Sequence, residues 1–311
     1  MKNTRVITEG AVLLAVFIVL LLATMYIPII MIVLQLFLIL PFLIYSAKHP
    51  LKYAIVFFIA AMLVTVGTGQ IQAIPLTIMY GLIGTLVGYG IRTKKDQGTI
   101  FIYSSILCAL LLVLLFALAS KLLDIQIMDE IQASFDMTME QYHSVLNSLG
   151  QEMPAGIEEQ FQAMLATISS LLVSLIITTA FIFTWILFLV NYPIVRRLGI
   201  DAPRFGSFRN FRLPKAVLGI YLVVLLISLF ANPEEGSYFY LVFVNGIYIL
   251  QTLMVIQGLS FIFYICHVRK LPIFLPILVV IFTFILPILP IVRVLGIIDV
   301  GFDFRQRLEQ K

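Results

Sequence analysis

From Glu9 to Tyr45 the chain carries no charged residue between its ends and only two prolines, Pro28 and Pro41. About 20 apolar residues cross a bilayer. This stretch is therefore too long for one crossing and long enough for two, and it predicts a membrane hairpin at the start of the chain. The same pattern, followed onward, predicts apolar spans near 9–26, 28–46, 52–67, 74–91, 100–120, 165–191, 214–231, 238–266 and 271–291, about eight or nine crossings in all. None of these runs alternates with period two, and lipid offers a bare backbone no hydrogen-bond partner. Helices are expected, not barrel strands. The expected fold is all-α, a polytopic transmembrane helical bundle.

The last run is harder to place. Residues 271–300 are too few for two full crossings, while a single ninth crossing puts Arg293, Arg305, Arg307 and Lys311 on the side poor in basic residues. A re-entrant segment kinked at Pro287 and Pro290 would instead return the tail. The sequence leaves the side of the C-terminus open.

Composition fits the pattern. With 61% hydrophobic and 12% charged residues, the chain lies far from soluble averages of roughly 45–50% apolar and about 25% charged. Lys2 and Arg5 lead into an apolar run too long for a signal peptide, which predicts an uncleaved first span. The two cysteines, Cys108 and Cys266, fall inside apolar runs, so buried free thiols are expected before a disulfide or a metal site. The net charge of +4 is sorted by loop. Lys2, Arg5, Lys48, Lys52, Arg92 to Lys95, Arg196 to Lys215, Arg269 and Lys270 hold most of the basic residues and fall on one side. The loop 122–164 is acidic and has no lysine or arginine. By the positive-inside rule the N-terminus is cytoplasmic, and a plasma-membrane location is expected.

Several patterns are candidates for function. Ala11 and Ala15 place small residues on one stripe of the first span, where a second helix can approach closely; internal packing is the competing reading. Gly81, Gly84 and Gly88 repeat the device in the fourth span and are expected to serve helix packing inside the protein. Gly67-Thr-Gly-Gln-Ile-Gln-Ala-Ile-Pro75 lies between two apolar helices, so Gln70 and Gln72 can line an outer substrate site or sit in an ordinary turn. In the eighth span Asn245, Tyr248 and Thr252 share a face, as ligands for a substrate or as bonds between helices; Gln257 and Ser260 follow. The acidic loop holds helix-compatible sequence from Ile125 to Leu149, expected to form an amphipathic hairpin broken at Gly150 and Pro154. The basic loop 196–215 is interleaved with Phe205, Phe208 and Phe211, which suits an anionic leaflet better than nucleic acid. Glu9, Arg293 and Asp299 are the ionisable groups in or near the spans.

Enzyme signatures are missing. There is no Gly-x-x-x-x-Gly-Lys-Ser/Thr phosphate loop, no His-Glu-x-x-His and no Cys-x-x-Cys, and His49, His143 and His267 fall in separate loops. No catalytic residue, metal site or cofactor is expected. Asp299 is the carboxylate to test if the chain acts on lipid.

The opening Thr4-Arg-Val-Ile-Thr-Glu-Gly-Ala-Val-Leu-Leu-Ala15, the early proline after the first span, the charge-sorted spans and the closing Leu-Gly-Ile-Ile-Asp-Val-Gly-Phe-Asp-Phe-Arg305 together resemble the YybS-like membrane proteins of Gram-positive bacteria. The N-terminal half is in turn similar to the S components of energy-coupling-factor vitamin transporters. In those proteins a six-helix bundle captures substrate and an Ala-x-x-x-Ala stripe on the first helix docks a coupling subunit. The resemblance implies an S-component-like bundle over 1–194, including the acidic loop, and a second part over 195–311 with the basic loop and extra helices. It also implies that Ala11 and Ala15 meet a transmembrane coupling subunit. The expected function is binding, and help in transporting, a small molecule or lipid with a separate energising partner. The alternative is a non-transporting scaffold or regulator that acts through its acidic external and basic cytoplasmic loops.

Overall fold

The structure is a computed structural model that describes residues 2–123, 127–150, 156–204, 206–230, 237–285, 288–302 and 304–305. Among them every regular element is a helix. In chain order these are α1 (Lys2–Tyr26), α2 (Met31–Gln35), α3 (Leu40–Lys48), α4 (Leu51–Gly67), α5 (Ala73–Arg92), α6 (Gln97–Leu123), α7 (Ile127–Ser148), α8 (Ile157–Arg197), α9 (Lys215–Phe230), α10 (Tyr238–Val268), α11 (Phe274–Ile285) and α12 (Leu289–Phe302). Six stretches are long and apolar enough to cross a membrane: Thr4–Tyr26, Pro28–Lys48, Ala73–Arg92, Gln97–Lys121, Gln162–Arg197 and Tyr238–Val268. The shorter apolar helices Leu51–Gly67, Lys215–Ser228 and Phe274–Thr283 occupy the other expected runs.

The chain forms two compact units, Met1–Glu152 with Ile176–Arg204, and Met153–Leu175 with Phe205–Lys311. By this division the first part of α8 joins the second unit. The reason is chemical: Ser170 and Ser174 on that part are hydrogen-bonded by Asn245 of α10.

The first unit is organised around α3 and α5. Phe42 of α3 sits at its centre, with the rings of Phe17 and Phe57 at 4.9 and 5.3 Å in edge-on contact. Gly81, Gly84 and Gly88 form the stripe of α5 that α3 lies on. A Cβ at Gly84 would be 2.8 Å from the Ile39 carbonyl, and one at Gly88 would strike the Leu43 carbonyl. With no hydrophobic drive between helices in lipid, such close backbone approach is what makes van der Waals packing strong.

The span expected as one helix over 28–46 is broken. A 3-10 turn at Pro28–Ile30 precedes α2, and between α2 and α3 the backbone tightens to i−3 bonds, with Leu36, Phe37 and Leu38 donating to Val33, Leu34 and Gln35. The Leu36 carbonyl accepts from Asn191 Nδ2 of α8 at 2.9 Å. Irregular backbone at membrane depth survives where protein satisfies it, and Asn191 does so here.

On the acidic loop, α7 is amphipathic, as its mixture of acids and apolar residues predicts, and Gly150 closes it with φ +66°. The second expected break, Pro154, lies outside the described residues. At the other end of α6, Asp96 caps the helix. Its carboxylate accepts from Thr99 N at 2.8 Å and Thr99 Oγ1 at 2.6 Å, bonds that hold it below the ordinary carboxylate range. Cys108 and Cys266 are both free and buried.

In the second unit α11 and α12 are 12 and 14 residues long, about 18 and 21 Å at 1.5 Å per residue. Neither reaches the roughly 30 Å of a bilayer core. Pro287 lies outside the described residues; Pro290 sits in the first turn of α12, where proline is tolerated. α12 packs across α10 backbone to backbone: a Cβ at Gly258 would strike the Val292 carbonyl, and one at Gly296 the Met254 carbonyl.

Candidate functional site

Ala11 and Ala15 are exposed on α1, on a face with Ile7, Val12, Val16 and Val19, while Phe17, Leu21 and Thr24 turn inward. No helix of the first unit covers that stripe. At the same end of α1 as its N-terminus, Glu9 pairs with His49 at 2.9 Å and with Arg5 at 3.3 Å. Together with Val6 and Lys48 these line an open recess of about 380 Å³. Arg5 and Lys48 thus set cationic charge beside the Glu9 carboxylate.

Gln70 and Gln72 lie in the short turn joining α4 to α5, where Gly69 takes φ +72°. Gln70 donates to the Tyr26 hydroxyl at 2.9 Å, and Gln72 is exposed. Asn245, Tyr248 and Thr252 belong to the other unit. Asn245 Oδ1 accepts from Ser174 N and Oγ at 2.9 and 2.6 Å, and its Nδ2 donates to the Ser170 and Leu241 carbonyls. Three of those four bonds join α10 to α8, and the one to Leu241 stays within α10. Thr252 bonds the Tyr248 carbonyl within its own helix. The glutamines and the asparagine therefore fall in different units, each with partners of its own.

Two groupings were not legible in the sequence as sites. The first is a level of buried hydroxyls inside the first unit. Thr85 of α5 and Ser104 and Ser105 of α6 have side-chain oxygens that are buried without a hydrogen-bond partner, as has Asn191 Oδ1. Tyr80 lies beside Cys108, and Gly90 faces Ile100, which sets Thr85 opposite Ser104 and Ser105. Phe101 meets the rings of Phe181 and Phe188, and Cys108 lies beside Thr184, so Thr184 shares that level. The level is about 10 Å from the α5–α6 turn, toward the end of α5 opposite Gln72. A buried polar group without a partner costs about 1–3 kcal/mol, so a cluster of them in a membrane bundle calls for an explanation.

The second grouping is a buried ion pair in the second unit. Asp299 and Arg305 are 4% and 1% exposed. Arg305 donates Nε to both Asp299 oxygens at 3.1 and 3.0 Å, and Nη2 to Oδ2 at 2.6 Å. Gln257 Nε2 adds a further bond to Oδ2 at 2.6 Å. Arg305 also reaches Ser260 Oγ at 3.2 Å and the Arg209 carbonyl at 2.5 Å, and lies over the rings of Tyr264 and Phe261. Asp299 was among the ionisable residues expected in or near the spans; its partner is Arg305. Four donor bonds converge on its two oxygens, and that saturation leaves it structural in geometry.

A helical bundle with apolar exposed faces, internal small-residue packing and a buried ion pair defines an integral, multi-pass membrane protein. The chain belongs to the family described as predicted membrane protein (DUF2232), whose family model matches residues 15–300. It is similar to a Bacillus subtilis (strain 168) protein described as "Uncharacterized protein YybS", at 30% identity over 99% of this chain and 100% of the relative. No solved structure matches it.

Proposed function

We propose that the first unit is the binding component of a transport system in the plasma membrane, with its N-terminus cytoplasmic. It captures a small polar molecule and relies on a separate energising subunit that docks on α1 at Ala11 and Ala15. The observation that carries this reading is the level of unpartnered hydroxyls at Thr85, Ser104 and Ser105. Hydroxyls without partners destabilise a bundle unless something else bonds them, and a bound polar molecule does so. The broken span between α2 and α3 adds support, because interrupted helices are where membrane transporters expose backbone to substrate. The uncovered Ala11 and Ala15 stripe, similar to that of energy-coupling-factor S components, suits a partner helix.

The test uses the full-length protein, purified in detergent, with mass spectrometry of the small molecules and proteins that stay bound. The variant Ser104→Ala, Ser105→Ala, Thr85→Val should lose the bound molecule by tenfold or more, on the scale of about 1.4 kcal/mol per decade. It should also melt no lower than the parent, since removing unpaired polar groups is neutral or stabilising. A lower melting point would mark the hydroxyls as helix bonds and overturn the reading. Ala11→Leu with Ala15→Leu should release a co-purifying subunit and leave the small molecule in place.

The scaffold reading has one specific support. Helix α7 exposes Met137, Tyr142, Val145 and Leu149 between its acids, an apolar stripe suited to a partner protein. Met137→Ser with Val145→Ser would then strip a bound protein while the metabolite stays.

A further inference from the structure

Among the described residues, each side-chain hydrogen bond by which Asp299 and Arg305 reach beyond the ion pair ends on the backbone of one loop or on its anchor, while the Arg305 carbonyl accepts from the Tyr264 hydroxyl at 3.3 Å. Arg305 holds the Arg209 carbonyl and Ser260 Oγ. Ser260 Oγ lies 2.8 and 2.9 Å from the Phe208 and Phe211 carbonyls and donates to them. Gln257, bound to Asp299 through its nitrogen, accepts from Leu213 N at 2.9 Å through its oxygen. The backbone of residues 208–213 is thus tied down at Phe208, Arg209, Phe211 and Leu213, along the last turns of α10.

What that backbone presents is basic and aromatic. Phe211 and Arg212 are exposed, Arg209 is half-buried, and Phe208 packs its ring at 5.4 Å from Phe263. Arg269 and Lys270 follow Phe263 within about 11 Å along the same helix direction. From Gly206 to Ile298 the sequence has only two acids, Glu234 and Glu235. Asp299 is buried and matched by Arg305. None of residues 206–214 is acidic.

We propose that residues 206–214, with Arg269 and Lys270, form a preorganised surface for anionic phospholipid headgroups, and that the Asp299 and Arg305 pair is its internal clamp. A buried ion pair is a poor source of stability, because desolvation consumes most of its attraction. Here it fixes the direction of a loop whose charges would otherwise move freely. Basic residues at a membrane surface attract anionic lipid individually, and held in one geometry with an aromatic between them they bind headgroups without the entropy of ordering a loop. The surface is independent of the hydroxyl level of the first unit.

The test is native mass spectrometry of the purified full-length protein titrated with phosphatidylglycerol and, in parallel, phosphatidylcholine. The unmodified chain should favour phosphatidylglycerol. Arg209→Gln with Arg212→Gln should lower that preference by about 30-fold, the combined effect of two surface charges. Ser260→Ala keeps every charge and the ion pair, yet removes the anchor of two loop carbonyls, and should lower it by about fivefold. Gln257→Ala repeats that test at Leu213. If the arginine variant keeps its preference, the surface is overturned; if both anchor variants bind like the parent while the arginine variant does not, the clamp is overturned.

Discussion

Arg305 is a guanidinium with 1% exposure in a chain where most polar side chains avoid the interior. Its Nε and both Nη nitrogens donate to a carboxylate, a hydroxyl and a backbone carbonyl, a fork geometry lysine does not match. Removing it leaves the Asp299 carboxylate buried with only Gln257 for a partner. Arg305→Ala is therefore expected to cost about 3–5 kcal/mol, read as a lowered midpoint of unfolding in detergent. Replacing both partners by apolar residues, Asp299→Leu with Arg305→Met, should recover most of that loss, because the uncompensated charge disappears. The sequence exposed half of this pair. Asp299 stood out as an acid in an apolar stretch, and Gln257 and Ser260 as polar residues in a span. The partner did not stand out, since residues six apart lie about 240° apart around a continuous helix, for Arg293 and Arg305 alike. The pairing depends on where the chain goes after α12 ends at Phe302, which no local pattern encodes.

At the scale of elements, apolar runs placed the helices well because length and hydropathy are properties of composition, and lipid leaves the backbone one local solution. The break between α2 and α3 was not legible. Residues 36–39 are Leu-Phe-Leu-Ile, with neither glycine nor proline, and the turn is held by Asn191 from 155 residues away. The glycines of α5 are the converse case, where a spacing did name a packing face. Gly88→Ala places a methyl against the Leu43 carbonyl, the Ser46 Cβ and the Ala47 nitrogen, and two of those three are backbone atoms that cannot rotate away. The expected penalty is about 1–3 kcal/mol, seen as a lower thermal midpoint. Gly67→Ala, at the end of α4 with nothing within 4 Å of the new methyl, is the matched control and should cost nothing measurable.

For the whole molecule the open question was the side to which the chain returns after α12, and the second unit supplies the geometry to answer it. Arg305 holds the Arg209 carbonyl, so the chain at 305 and the loop at 206–214 share one side. Helix α10, with 31 residues, is about 46 Å long, which puts Ser237 at its start on the opposite side. Cys108 and Cys266 are buried, so single cysteines introduced elsewhere can be read against a quiet background. In sealed vesicles of known orientation, a membrane-impermeant maleimide should label Ser207→Cys and Phe302→Cys together and Ser237→Cys only from the other face. Labelling of Phe302→Cys alongside Ser237→Cys would mean that α11 and α12 complete a crossing, and their lengths of 12 and 14 residues argue that they enter and return instead.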